Sequence, residues 1–160
     1  MHGAALILLA LAAPAGAFDA GGVALGASEA TVQKAFKTAQ CRPMEWKTDA
    51  ADRRCDDATV LGGAEARITF YLRRDRVQAF DVRFGASDVE RIAAFLKGRY
   101  GEPLADGIEV FDRRGEKRRV RKLRWKQGED QAVLSAPEGR NRAELNVWRG
   151  NFDTEVYNLR

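Results

Sequence analysis

The chain has 160 residues, with 27 Lys and Arg against 23 Asp and Glu, a formal charge of +4 and 45% hydrophobic residues. With only 4 prolines and 15 glycines, that composition excludes collagen, long coiled coil and disorder. One domain of ordinary size or two very small ones fits, and such a globule buries roughly two-thirds of its unfolded surface.

Residues Ala4 to Leu11 are continuously apolar and lead through Pro14 to Ala15-Gly16-Ala17, the small-x-small pattern that signal peptidases cut. This predicts a signal peptide over 1–17, cleavage before Phe18, and a periplasmic or secreted product. A membrane anchor is the rival reading, but the apolar run from Gly3 to Ala17 has 15 residues, against about 20 for a span. Met1-His2-Gly3 offers no Lys or Arg ahead of that run, and no cysteine follows the cut to take a lipid. Cleavage leaves 143 residues, keeps the charge at +4 and removes His2, the single histidine. Ser-His-Asp and Cys-His catalysis are thereby excluded, together with the commonest metal ligand. No catalytic residue, metal or cofactor is predicted.

The first helix is expected from Ser28, with Val32, Ala35, Phe36 and Ala39 as its apolar stripe and Glu29 favouring its positive end. Strands follow over 42–47 and 54–61, joined through an acidic turn. Cys41 and Cys55, the two cysteines, flank that hairpin and are expected to form one disulfide. Closing this 15-residue segment would stabilise the fold by about 3 kcal/mol in the chain-entropy model. A redox pair is the alternative, without a Cys-x-x-Cys to support it. After Gly62-Gly63 comes a hairpin in which Ile68, Phe70 and Leu72 share one face and Phe80, Val82 and Phe84 share another, with Arg74-Asp75 at the turn.

Leu25-Gly26-Ala27-Ser28-Glu29 recurs 59 residues later as Phe84-Gly85-Ala86-Ser87-Asp88. Ser87 and Glu90 form a capping-box pattern ahead of Val89, Ile92, Ala93, Leu96 and Tyr100, and Gly101 and Pro103 stop this second helix. Four more strands are expected over 108–111, 120–126, 131–136 and 143–149. The fold class is therefore α+β: two tandem units, each one helix followed by a four-stranded antiparallel meander, over 18–84 and 85–149. A C-terminal tail spans 150–160. Whether the units form separate sheets or one of eight strands is left open.

Two helix-plus-four-strand units with a disulfide at the first hairpin resemble the β-lactamase inhibitor protein fold. One unit alone is similar to the small lipoprotein of the bacterial outer-membrane assembly machine. The resemblance covers 22–149 and rests on the Gly26-Ala27-Ser28-Glu29 and Gly85-Ala86-Ser87-Asp88 helix entries. It implies an architecture and carries no functional residue across. The second unit lacks the disulfide that the inhibitor fold would carry there.

Charge is concentrated in one segment. Arg113, Arg114, Lys117, Arg118, Arg119, Arg121, Lys122, Arg124 and Lys126 face a single acid, Glu116, a local +8. As a strand, 120–126 would send Lys122, Arg124 and Lys126 to one side and Leu123 and Trp125 to the other. Trp148 has the opposite parity from Leu145 and Val147, which predicts an outward indole beside Glu144 and Asn146. Cations near an exposed indole suit an anionic partner; a solvated, aggregation-resistant strand is the bland alternative. Nucleic acid is disfavoured, because the stacking aromatics of single-strand binders are missing.

Asp49, Asp52, Asp56 and Asp57 lack the ligand spacing of a calcium loop, and adjacent Asp56 and Asp57 would face opposite ways in a strand. Ser135 has no partner base. The expectation is an exported, non-catalytic binding protein of the cell envelope, acting through a sheet face and the basic hairpin on an envelope protein or other acidic surface. The alternatives are a binder of anionic lipid or envelope polymer and, behind it, a two-carboxylate hydrolase. The oligomeric state is left open.

Overall fold

A computed structural model describes residues 17–46 and 48–152. The expected signal peptide over 1–17 lies outside them apart from Ala17, and so does the tail beyond Phe152.

The chain begins with a small hairpin, β1 (Asp19–Ala20) and β2 (Val23–Ala24), that the sequence patterns do not reveal. Gly21 and Gly22, at φ 56° and 82°, make its turn. Phe18, Ala20, Val23 and Leu25 are buried, and the Phe18 ring packs edge-on against Tyr100 at 4.6 Å. Helix α1 (Glu29–Ala35) follows, capped by Ser28 Oγ, which accepts from the Thr31 amide at 3.2 Å. Then come β3 (Gln40–Pro43), β4 (Arg53–Leu61), β5 (Ala64–Arg73) and β6 (Arg76–Gly85). A 3-10 turn (Ala86–Asp88) leads into α2 (Val89–Tyr100), and β7 (Ala105–Arg113), β8 (Glu116–Gln127), β9 (Asp130–Pro137) and β10 (Arg142–Arg149) complete the fold.

The two meanders join into one eight-stranded antiparallel sheet of order β3-β4-β5-β6-β10-β9-β8-β7. The order is symmetric about the β6–β10 pair, so each unit contributes its last strand to the seam. Across that seam Val82 faces Leu145 and Phe80 faces Val147. One rung runs Ile68, Val82, Leu145, Leu134, Leu123, each at most 1% exposed. Burying side chains of this size stabilises by about 1.5–3 kcal/mol apiece. Both helices cover this same face. Phe36, which ends α1, packs on Phe70 at 5.2 Å, and Trp125 donates its indole N–H to the Gly101 carbonyl at the end of α2 at 2.8 Å.

The hairpin β5–β6 shows how side-chain parity sets register. A plain two-residue turn at Arg74-Asp75 would put the inward Ile68 and Phe70 opposite outward residues of β6. A bulge at Tyr71/Leu72 shifts the pairing by one, so that Ile68 faces Val82 and Phe70 faces Phe80. The disulfide joins Cys41 to Cys55 as direct cross-strand partners.

Several sequence expectations are corrected. The first strand is Gln40–Pro43 instead of 42–47, since Met44, Ala50 and Ala51 pack on the far side of the sheet. Ala35 is exposed, because α1 ends there after 7 residues. The Ser87–Glu90 capping box does not form: Ser87 lies within the 3-10 turn, the helix starts after Asp88, and Glu90 reaches Arg121 of β8 instead. Strand β7 runs well beyond 108–111, extended at both ends by pairing with β8.

Candidate functional site

The basic segment forms most of β8. Arg119, Arg121, Leu123 and Trp125 point toward the helices, and Lys122, Arg124 and Lys126 point to the uncovered face, in the predicted alternation. What the sequence does not show is how much of this charge is neutralised. Arg121 makes a forked pair to Asp106 of β7, both contacts 3.1 Å, and also meets Glu90 of α2. Arg124 and Lys122 converge on Glu109 of β7, with Lys122 Nζ at 3.1 Å. Lys122 also sits 4.6 Å from the Phe111 ring centre. Arg119 bonds Glu138 at 3.0 Å, and Arg118 lies 3.7 Å from Glu116. Bonding to Arg121 lowers the Asp106 carboxyl below the usual range, and bonding to Arg124 does the same for Glu109. Among the described residues, Arg113, Arg114, Lys117 and Lys126 have no ion pair. Free charge is therefore concentrated at the tip of the hairpin.

The two sheet edges differ. At one edge β3 has 4 residues, ends in Pro43 and is bolted to β4 by the disulfide. At the other, β7 has 9 residues, of which all but Glu109 are exposed. Ile108, Val110 and Phe111 are 50%, 55% and 42% exposed, and Leu104 just before them is 75% exposed. Natural edges are commonly protected by charge. Here Asp106 and Glu109 are occupied by cations of β8, and Asp112 accepts from the Gly115 amide. The edge is thus long and carries exposed apolar side chains, with Asp106 and Glu109 neutralised by β8, while Asp112 and Arg113 make no ion pair among the described residues.

On the uncovered face, side chains alternate with the core positions. Tyr71 and Asn146 both donate to Asp81, at 3.2 and 2.9 Å, and Thr69 donates to Asp56 at 2.7 Å, forming a polar ladder across β4, β5, β6 and β10. Trp148 lies on this face, as its parity predicts, but it is 6% exposed and does not stand open beside a cationic surface. Ala50, Ala51 and Phe152 close over it with Tyr71, Ala79 and Val133, forming a second apolar cluster. Its indole N–H is buried and has no acceptor among the described residues. Trp148 is structural, and the anion-binding role expected for it does not fit this burial.

Beyond that cluster the uncovered face opens into a groove of about 1230 Å³ that contains Arg67, Arg83 and Arg142. The sequence reading passes over these residues. Arg67 and Arg83 are direct cross-strand partners on β5 and β6, and Arg142 faces Gly85, one step along the same side. Like charges placed opposite each other destabilise a sheet by about 0.2–1 kcal/mol. The one ion pair in this trio is Arg83 to Glu144 at 3.9 Å, with both side chains about 40% exposed. By contrast Arg53, Arg54 and Arg149 make forked bonds to Glu29, Asp56 and Asp130. The missed signal was parity, visible in Arg67 beside Ile68 and Arg83 beside Val82, combined with a register that depends on the bulge.

Asp56 shows how the carboxylates here are held. Burial pushes its pKa up, but hydrogen bonds from Arg54 and Thr69, with Arg42 nearby, outweigh this and keep it below the usual aspartate value. Asp57 lies on the other face, bonded to Thr38, and Asp52 accepts from the Arg74 amide, so the four acidic residues do not converge. Glu29, Cys41 and Cys55 lie close together, but the sulfurs are joined to each other and Glu29 is taken by Arg53.

No protein-family model and no curated protein matches this chain. Among solved structures it is similar to a DUF4309 family protein (YjgB) from Bacillus subtilis, with a TM-score of 0.42 and 13% identity over 80% of this chain and 82% of that one. No helix among the described residues is long and apolar enough to cross a membrane.

Proposed function

We propose that this is an exported, non-catalytic binding protein of the cell envelope that docks a partner protein along the β7 edge and the tip of the β7–β8 hairpin. The observation that carries the reading is the β7 edge itself. It offers nine residues of strand with no strand beyond it among the described residues, apolar side chains on both faces, and two of its acids, Asp106 and Glu109, paired with cations of β8. A partner strand added there gains main-chain hydrogen bonds, with specificity from alternate side chains. Acidic residues flanking that strand would meet Arg113, Arg114 and Lys117. Export is supported by the leader-like residues 1–17 and by the Cys41–Cys55 disulfide.

A second reading, binding of anionic lipid or envelope polymer, is favoured by the unpaired cations at the tip and at Lys126. The two separate by experiment. Immobilised protein is loaded with envelope extract, then Ile108→Asp/Val110→Asp is compared with Arg113→Gln/Arg114→Gln/Lys117→Gln. Docking by strand addition predicts a saturable protein partner whose affinity falls at least tenfold with the first pair and a few-fold with the second set. Affinity indifferent to Ile108 and Val110, or retention of vesicles alone with steep salt dependence, would contradict it.

A further inference from the structure

The geometry points to a second binding site, separate from the β7 edge: the Arg67, Arg83 and Arg142 groove takes an extended acidic peptide segment of a partner protein. The groove's arginines lie on β5, β6 and β10, with β9 and β8 between them and β7, so this inference stands independently of docking at β7.

Three observations support it. First, several sheet arginines are paired where they serve structure, through forked contacts within β4, from β4 to α1, from β8 to β7, and from β10 to β9, although Arg73 and Arg113 make no ion pair among the described residues. Arg67 and Arg142 have no such partner among the described residues, and Arg83 has a loose one. Second, the register that the bulge imposes places Arg67 and Arg83 side by side, and Arg142 on β10 lies diagonally beyond Arg83, opposite Gly85, with Glu144 as the direct cross-strand partner of Arg83. Three guanidiniums on three neighbouring strands span about 10 Å at the ordinary strand spacing, the reach of a few residues of extended chain. Each is a planar fork that matches a carboxylate with two parallel hydrogen bonds. Third, the groove is mixed. Its walls include Asp56 and Glu65, and Ala58 and Val60 are exposed along β4, Val60 at 67%. Asp56 is already held by Arg54 and Thr69, so a uniformly charged phosphate polymer would meet Glu65 on the wall and Glu144 beside Arg83. A peptide with spaced acids and apolar residues between them can set its carboxylates on the arginines and its apolar side chains on Ala58 and Val60. The open side of the groove admits such a chain lengthwise.

The test is fluorescence anisotropy on the full mature chain, at physiological salt, with a labelled ten-residue peptide of alternating Glu and Val and its Gln-for-Glu counterpart. Inorganic polyphosphate and phosphatidylglycerol vesicles serve as competitors. All three arginines are exposed, so Arg67→Gln/Arg83→Gln/Arg142→Gln should fold, and Arg83→Gln alone provides a milder variant checked by the same melting curve. The Glu peptide is expected to bind at least tenfold more tightly than the Gln peptide. That affinity should fall at least tenfold in the triple variant, about threefold in Arg83→Gln, and less than twofold in Arg113→Gln/Arg114→Gln/Lys117→Gln. The proposal is overturned by absence of saturable Glu-peptide binding, or by equal loss in the hairpin variant. It is also overturned by polyphosphate or vesicles binding more tightly through the same three arginines, which would give the groove to a different ligand.

Discussion

Reduction of the Cys41–Cys55 bond offers the most quantitative check on how the first meander is held. Strand β3 pairs with β4 alone, through 4 residues ending in a proline, and packs little of its own surface. The bond joins residues 14 apart, and closing a ring of that size restricts the unfolded chain by about 3 kcal/mol. For a domain of this length, 1 kcal/mol moves the midpoint of thermal unfolding by about 4 °C, so full reduction is expected to lower it by roughly 10 °C. The assay is equilibrium urea unfolding and thermal melting of the chain from Phe18 to Arg160, with and without reductant equilibrated through the unfolded state. The urea slope should rise slightly, because the reduced unfolded chain exposes more surface. Hydrogen exchange should speed first in β3, while β4 stays protected by its nine-residue pairing with β5. A midpoint shift under about 3 °C, or loss of protection that begins in β5 and β6, would refute this account of the edge.

Other substitutions separate structural from surface residues. Trp148→Ala should cost about 3–5 kcal/mol by opening the second apolar cluster, whereas Trp148→Phe, which removes an indole N–H that has no acceptor, should cost less than about 1.5 kcal/mol in the same denaturation assay. Replacing Arg113, Arg114 and Lys117 with Gln should change stability by no more than about 0.5 kcal/mol, since they have no ion pair to lose. Asp56→Ala should cost about 2 kcal/mol, leaving the Arg54 guanidinium half-buried beside an empty site. Because Asp56, Asp106 and Glu109 are depressed in the folded state, the unfolded state holds their protons more tightly. Their contribution is therefore complete above the ordinary carboxyl range and is lost as pH falls through the folded values. Carboxyl carbon NMR should show all three titrating below their unfolded counterparts, and midpoints at or above the ordinary values would contradict the hydrogen bonding described.

The class of fold was legible because the physics that sets it is local. Alternation at Ile68, Phe70 and Leu72 and at Phe80, Val82 and Phe84 can point inward in one way, and the 3.6-residue stripe of Val89, Ile92, Ala93 and Leu96 can cover one sheet. The joining of the two meanders was not legible, since β6 and β10 are distant in the chain and their match is written in no single segment. Ser87 misled because a hydroxyl followed by a glutamate three residues on satisfies the capping pattern, while the competing Arg121 arrives from another strand. Trp148 misled for a similar reason: parity gives the face and says nothing of what Ala50, Ala51 and Phe152 later place over it. The charge of β8 was obvious as a count, yet its pairing with Asp106 and Glu109 required the β7–β8 register. The arginine groove depended on a one-residue bulge, which is why its three members, far apart in sequence, did not read as a set.

The central claim, that the molecule works by lending the β7 edge to a partner, is tested most directly by hydrogen exchange on the mature protein alone and bound to the protein retained from envelope extract. The account predicts that amides of Gly107 to Asp112 slow at least tenfold in the complex while those of α1 and α2 keep their rates. Protection that appears on the helices and leaves β7 unchanged would contradict it.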